Sequence, residues 1–497
     1  MTLDAVRGAP SPADPGRRRP RAMPSLMPFL MSACVVLVVA MVASINLALP
    51  KLSAADLHPS SAQLLWIVDT YVLMFGCLLI PAGAFGDRYG RKGALLAGLA
   101  VFAAGCLLSA AAPAVAVLIA GRLVTGAGAA LIMPATLSLL LQVTEPERKP
   151  HAIATWTAAT GIAGAVGNLV GGAVLQWLPW QSLFLVGALA AAALAGLVAR
   201  LAPRGERHRA DLDLPGAALL TLALFALLFG IIEGSSQGWS SSRVLGAFGA
   251  AAVLLTAFSV HALRAEHPLL DLRIFAVARL RSGVLGVALT FFGLFALFFV
   301  NAQYLQYAKG YSPLLAGVAI APLVIGVIVT SKRSIGLARR IGERSVVALG
   351  LLMLAAGLGL LSLADASTPY LLYGACLALL SVGMGMCMPS LSVAVMSALP
   401  PGQAGLGSGL NSAAREIGSA LGVAVFGTIL ASRFADGLPS GVAGHTDSVG
   451  QALAAGRSER PAVLTAFTDA MSVGLLAVAA IVLAGAAVVI AGFRGRG

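Results

Sequence analysis

Residues Gly83–Lys92 read GAFGDRYGRK. One acid (Asp87), three cations (Arg88, Arg91, Lys92) and three glycines (Gly83, Gly86, Gly90) sit between two apolar stretches, each about as long as a bilayer's hydrocarbon core. A link that short cannot form a domain. It can join two membrane-spanning helices as a loop at one face of the bilayer, with the charges in water and the glycines letting the backbones approach closely. Arg88, Arg91 and Lys92 alone would suffice for a topological stop signal, which leaves the acid and the glycine spacing unexplained.

Composition places the whole chain in a membrane. Of its 497 residues 59% are hydrophobic and only 11% charged, with a mean hydropathy of +0.91, which excludes an ordinary soluble protein. Apolar runs recur at 27–49, 62–85, 94–112, 114–141, 152–175, 182–201, 214–234, 244–263, 282–305, 313–331, 345–364, 369–398, 404–431 and 467–493. These predict an all-α polytopic protein of fourteen spans.

The net charge of +13 is a matter of topology. With the N-terminus inside, 25 of the 33 Lys and Arg fall in cytoplasmic segments; six (Lys51, Arg243, Lys309, Arg433, Arg457, Arg460) fall outside and two (Arg122, Arg415) within spans. Such a bias sets both termini in the cytoplasm of a plasma (inner) membrane protein and argues against nucleic acid as a partner. The Pro- and Arg-rich residues 1–26 read as a disordered cytoplasmic tail before an uncleaved first span. All five cysteines lie in predicted spans without CxxC spacing, which points to apolar packing and to no metal site or disulfide.

The second half echoes the first. Ile335–Arg344, IGLARRIGER, aligns with Gly83–Lys92 when Gly342 is set on Gly90, with Arg340 on Arg88, Arg344 on Lys92 and Arg339 in place of the acid. The two segments follow the second and tenth spans, eight helices apart, where two plain six-helix repeats would separate them by six. Two spans, 214–234 and 244–263, are therefore expected as an insertion between a bundle at 27–201 and a bundle at 282–493. Linkers within 202–281 flank the inserted pair, and an outer loop follows at 432–466.

GAFGDRYGRK resembles the signature of the major facilitator superfamily, GxLaDrxGrk. LLWIVDTYVL (Leu64–Leu73) and HPLLDLRIF (His267–Phe275) resemble its fourteen-span drug/proton antiporter family, and LWIVDTY within the first is most similar to the exporters of quaternary ammonium compounds and biocides. The resemblance covers nearly the whole chain and implies two six-helix bundles with two inserted helices, rocking about a midplane site. Two motifs depart from the family pattern. INLALP (Ile45–Pro50), with Asn46, matches the end of the first-helix motif, but its usual acid falls on Met41. GIAGAVGNLVGG (Gly161–Gly172) resembles the antiporter motif GxxxGPxxGG with Asn168 for the proline, so any bend must come from the stripe Gly164, Gly167 and Gly171.

Charges inside a bilayer are costly and mark function by default. Asp69 shares a helix face with Trp66, Leu73 and Gly76. An acid beside an indole suits a lipophilic cation or can carry a proton, unless it is simply hydrated from outside. Arg122, in AGRLVTGAGAA (Ala120–Ala130), resembles the family's proton-transfer arginine; its alternative is to pair with backbone carbonyls. Asn411 and Arg415 share a face with Gly418 and Gly422, and Glu416 lies beside them. Arg415 and Glu416 can neutralise each other, bind a proton or cargo, or snorkel to the surface. Glu233 reads as an acid reaching water at the outer end of its span, and Tyr304, with Asn301, as the wall of an outer vestibule or as packing.

No Lys follows a Gly, so a phosphate-binding GxxxxGK[ST] loop is absent, and HExxH is absent too. The expectation is a non-enzymatic exporter, without ATP or cofactor, that moves hydrophobic, cationic drugs through the lipid bilayer against protons and acts as a monomer. An exporter of an endogenous antibiotic or metabolite and an uncoupled facilitator are its alternatives.

Overall fold

The computed structural model describes residues 26–53, 61–203, 213–311, 313–399, 404–439 and 459–493, with positions 57, 59, 449, 452 and 453 between them. Its helices are α1 (Met27–Ser53), α2 (Ser61–Tyr89), α3 (Arg91–Ala110), α4 (Val115–Val143), α5 (Lys149–Trp177), α6 (Gln181–Leu201), α7 (Leu214–Gln237) and α8 (Ser242–Arg264). They continue with α9 (Ala278–Gln303), the short α10 (Pro313–Val318), α11 (Ala321–Ile341), α12 (Glu343–Leu361), α13 (Tyr370–Ser397), α14 (Ala404–Gly437) and α15 (Arg460–Gly492). With α10 and α11 forming one span, fourteen segments are long and apolar enough to cross a membrane. The described chain contains no strand. Apart from Leu26, the tail at 1–26 lies outside the described residues, as do 204–212 of the first linker and most of the expected outer loop. That loop is narrower than 432–466, because α14 runs on to Gly437 with Phe434 buried, and α15 starts at Arg460 with Pro461 in its first turn.

The signature GAFGDRYGRK is not an extended loop. Helix α2 continues to Tyr89 and α3 begins at Arg91, leaving Gly90 alone as the pivot, at φ 101°. Only a residue without Cβ holds that angle at low cost. A methyl group on Gly86 would meet nothing closer than the Ala94 side chain at 3.5 Å, so close approach is not what Gly86 provides. The echo at Gly342 has the same construction, with φ 87°, between α11 and α12. Backbone bonds from Gly90 to Gly86 and from Ala94 to Gly90 are matched by those from Gly342 to Ala338 and from Val346 to Gly342.

A second correspondence joins the halves. A Cβ on Gly167 would lie 2.4 Å from the Ala40 carbonyl oxygen, and one on Gly171 2.8 Å from Ser44, so α5 lies against α1 through these two glycines. The Ser44 hydroxyl also donates to the Gly167 carbonyl at 2.7 Å. In the second half Gly418 and Gly422 bring α14 onto Ala288 and Phe292 of α9 in the same way, each 2.2 Å from a carbonyl oxygen. Gly164, expected as the third member of the stripe, has open space around it, because the close contact of α5 with α1 involves only the two glycines nearer its C-terminal end.

Two hydrophobic cores result, one mainly from α1–α8 but joined by Leu280 of α9, Val395 of α13 and Leu406, Leu410 and Ala413 of α14, and one from α9–α15. Leu220 and Leu224 of α7 and Phe258 and Ala262 of α8 belong to the first. Helix α7 packs against α2 and α14, and α8 packs on α7, with Leu245, Val253, Val260 and Leu263 on its outward face. Asp213 fastens this pair at the face where the basic residues gather. Its carboxylate accepts from the Gly216 amide at 2.8 Å, capping α7, and from the Leu269 amide at 3.0 Å; it also lies 2.7 Å from Nε2 of His261 on α8. Burial pushes the Asp213 carboxyl up, but the two amides and the imidazole outweigh it and hold the pKa below its ordinary value. The segment HPLLDLRIF thus has a structural part in this chain, tying the inserted pair to the start of α9.

Candidate functional site

The α2 face that carries Trp66, Asp69 and Gly76 is covered by α7 and α14. The Trp66 ring lies 5.7 Å from that of Phe229 on α7, and Gly76 leaves room for Leu228 of α7 and for the Cβ of Glu416 on α14. Asp69 is half-buried and lies within electrostatic reach of Glu233 on α7 and of Arg122 on α4. Glu233 is not the solvated end-of-helix acid that its place in sequence suggests: it is 8% exposed. Its burial follows from the packing of α7 against α2, which nothing within α7 itself reveals. Two carboxylates and one guanidinium thus form a charged group inside the protein, with one of the three, Glu233, contributed by the inserted pair.

Arg122 is fully buried. Its Nε donates to the Ile67 carbonyl of α2 at 2.9 Å, and its guanidinium lies 4.5 Å from the centroid of the Tyr71 ring. The Tyr71 hydroxyl in turn donates to the Val38 carbonyl of α1 at 3.0 Å. The two terminal nitrogens of Arg122 have no hydrogen-bond partner. The carbonyl-pairing alternative therefore accounts for one nitrogen of three, leaving donors available for an arriving acceptor. Met41, where the family resemblance leads one to expect an acid, is 4% exposed and packed toward Gly187 of α6.

Arg415 and Glu416 lie deeper, between the halves. Arg415 is 3% exposed and does not snorkel: its Nη2 is 3.6 Å from Glu416 Oε1, and its guanidinium lies over Phe291 of α9 at 5.2 Å and Trp156 of α5 at 5.9 Å. Tyr71 contacts Arg122 and lies within electrostatic reach of Glu416, between the two charged groups. Asn411, one turn from Arg415, is 1% exposed with an unpartnered carbonyl oxygen. Tyr304 is elsewhere. A π turn at Tyr304–Ala308 directs it into the second core, where it stacks on Tyr373 at 4.7 Å and donates to the Asp365 carbonyl at 2.8 Å. Asn301 accepts from Tyr373 at 2.8 Å in the same cluster, so neither residue borders a vestibule. The side chains of Asn46 and Asn168 lie outside the described residues.

The signature residues join five helices at the basic face. Arg91 contacts Asp87 at 3.3 Å and donates to the Ser138 carbonyl of α4 at 3.3 Å; Lys92 donates to the Ala199 and Ala202 carbonyls at the end of α6. The other oxygen of Asp87 accepts from the Leu406 amide in the first turn of α14 at 3.1 Å. Arg88 lies over its neighbour Tyr89. A Cβ on Gly409 would lie 2.6 Å from the Leu79 carbonyl oxygen, so the halves are in close contact there as well. On the opposite side Trp239, just beyond α7, donates to Thr428 of α14 at 2.7 Å.

The profile of the Major Facilitator Superfamily matches residues 31–423. The tetracenomycin C resistance and export protein of Streptomyces glaucescens is 33% identical over 387 residues, 77% of this chain and 72% of that protein. The multidrug efflux pump LfrA of Mycolicibacterium smegmatis is 29% identical over 463 residues, 90% and 92% of the two chains. Among solved structures, the human organic anion transporter MFSD10 superposes with a TM-score of 0.61 at 17% identity, covering 95% of this chain and all of that one.

Proposed function

This chain belongs to the major facilitator superfamily and is a multi-pass membrane transporter, and from that premise we propose that it exports hydrophobic, cationic drugs in exchange for protons by alternating access. The observation that carries the reading is the group formed by Asp69, Glu233 and Arg122 beside Trp66 and Phe229. Two carboxylates against one guanidinium leave a net negative charge when both are ionised, and the aromatic rings offer a lipophilic cation both apolar and cation–π contact. The same carboxylates can take up a proton when the cation leaves, which is what exchange requires. Arg122 and Tyr71 connect this group to Glu416, a second proton-bearing side chain nearer the basic face.

We infer that the basic face is cytoplasmic. Asp87 on the first turn of α14 and the contact of Leu79 with Gly409 then close the cytoplasmic side, and releasing them is the step that admits cargo from within. Gly83, Gly90, Arg88 and Arg91 act with Asp87 in this gate. Gly167 and Gly171, with Asn168 between them, form the surface on which α5 moves against α1.

The test is ethidium transport into everted membrane vesicles carrying the protein, with and without a protonophore. Accumulation that collapses with the proton gradient is expected. No ethidium accumulation by a well-expressed protein removes the cationic reading, and accumulation indifferent to the protonophore removes the coupling. Export of an endogenous antibiotic is a second reading, supported by the relatives named for tetracenomycin C and by the cephamycin export protein of Amycolatopsis lactamdurans, 33% identical over 432 residues.

A further inference from the structure

The halves repeat each other, but at one place the repeat reverses its charge. In the first, Asp87 at the end of α2 meets the first turn of α14. The corresponding end of α11 faces the start of α5, and the residue that aligns with Asp87 is Arg339. An acid there would suit the positive end of α5; a cation does not. Where α11 meets α5 there is, among the described residues, no carboxylate but a cavity of about 550 Å³, lined by His151 in the first turn of α5 and by Thr330, Lys332, Arg333, Ser334 and Arg340 of α11.

Lys332 and Arg333 were expected beyond the tenth span, but α11 continues to Ile341. They therefore sit nine and eight residues inside its end, about 13 Å along the axis. Arg333 and Arg340, seven residues apart, share a face. Arg333 reaches only the carbonyl of its own helix at Val329, and no acid pairs with Lys332, Arg333 or Arg340 among the described residues. No acid lines the cavity. Three unneutralised cations, two hydroxyls and a helix start make a place for an anion.

We propose that this cavity binds the phosphate headgroup of an anionic membrane lipid, which takes the place that Asp87 fills in the other half and joins α11 to α5. The choice of lipid over cargo rests on the reading of the cargo as cationic, since Lys332, Arg333 and Arg340 repel a lipophilic cation. Position agrees with the choice: the cations lie along the last turns of a membrane helix, on the basic face, where anionic headgroups are attracted.

Lipid binding tests this without any transport measurement, so it can fail independently of the cargo reading. The full-length purified protein is titrated with phosphatidylglycerol or phosphatidylcholine and the bound lipid is counted by native mass spectrometry. Each charge removed is expected to weaken phosphatidylglycerol binding about fivefold, so Arg340→Gln loses about fivefold and Lys332→Gln/Arg333→Gln/Arg340→Gln about a hundredfold. Phosphatidylcholine binding should not change. The exchange Lys332→Arg/Arg333→Lys/Arg340→Lys should bind phosphatidylglycerol like the parent, and it carries the test if the neutral variant does not fold. A control, Arg200→Gln/Arg264→Gln/Arg281→Gln, removes equal charge from the same face and should lose no more than a few-fold. Equal loss in the control would show a diffuse surface effect and overturn the proposal. So would unchanged binding in the cavity variant, or displacement of the lipid by millimolar glycerol 3-phosphate, which would make the site one for a free anion.

Discussion

Asp87 and the Leu406 amide are 3.1 Å apart across the boundary between the two bundles, a carboxylate from α2 at the start of α14. Anions at a helix start contribute about 0.3–1 kcal/mol, and up to about 2 kcal/mol when partly buried, as Asp87 is. If transport proceeds by the proposed alternating access, the contact crosses the line along which the halves part, and its energy falls on one state of the cycle and not on the fold of either bundle. Asp87→Asn is expected to express and insert normally but to export ethidium about tenfold more slowly, measured in everted vesicles at matched protein level. Wild-type transport by the variant would remove Asp87 from the gate.

The contact of α1 with α5 predicts opposite outcomes for two neighbouring glycines. Gly167→Ala places a methyl 2.4 Å from the Ala40 carbonyl oxygen, and forcing the helices apart should cost about 1–3 kcal/mol. Gly164→Ala meets nothing within 4 Å and gains helix propensity, up to about 1 kcal/mol. Melting temperatures in detergent should fall for the first and hold or rise for the second. Equal behaviour would show that α1 and α5 do not pack as described.

The two pivots were legible in sequence only as aligned glycines, Gly90 and Gly342; their positive φ is a backbone property that the reading as close approach missed. Spans were legible because bilayer thickness sets their length. Glu233 was not, since an acid one turn from a helix end looks solvated until a second helix is laid over it. Lys332 and Arg333 were misplaced because falling hydropathy reads as the end of a span, whereas a helix needs only its own backbone bonds to continue. Tyr304 stayed undecided between vestibule and packing for a third reason: the π turn at its position changes the direction of the side chain without changing the composition around it. Each miss concerns a tertiary contact or a local change of helix type, neither of which periodicity encodes.

Asp213 ties α7, α8 and the segment before α9 through its ionised carboxylate. Its folded pKa lies below the ordinary value, so its contribution is full above about pH 4, the unfolded carboxyl's range, and is lost as pH falls through the folded pKa. Asp213→Asn should therefore lower the melting temperature at pH 7, and the gap between variant and parent should close as the pH is taken below about 4. A gap independent of pH would mean that the side-chain shape, and not its charge, holds the inserted pair.

Topology gives an independent check on the insertion. A single cysteine at Gln237, the last residue of α7, should react with an impermeant maleimide from outside intact cells. One at His208, in the linker before α7, should react only after the membrane is opened. Labelling of both from the same side would break the fourteen-span arrangement and, with it, the assignment of the basic face to the cytoplasm.

On the proposed reading, the charged group that α2 shares with α7 should separate cargo by charge. Removing one carboxylate leaves a cation poorly compensated in a low-dielectric site, a loss of about 1–3 kcal/mol, or about ten- to hundredfold in affinity. Asp69→Asn is expected to abolish resistance to divalent organic cations before monovalent ones and to spare neutral compounds, while Asp69→Glu, which keeps the charge, retains more than Asp69→Cys. Glu233→Gln should follow the same order with a smaller effect. Minimum inhibitory concentrations for a divalent, a monovalent and a neutral substrate read the order directly. Equal loss for all three in Asp69→Asn would make Asp69 a proton carrier or a structural acid, and no effect in Glu233→Gln would return the cargo site to the two bundles alone.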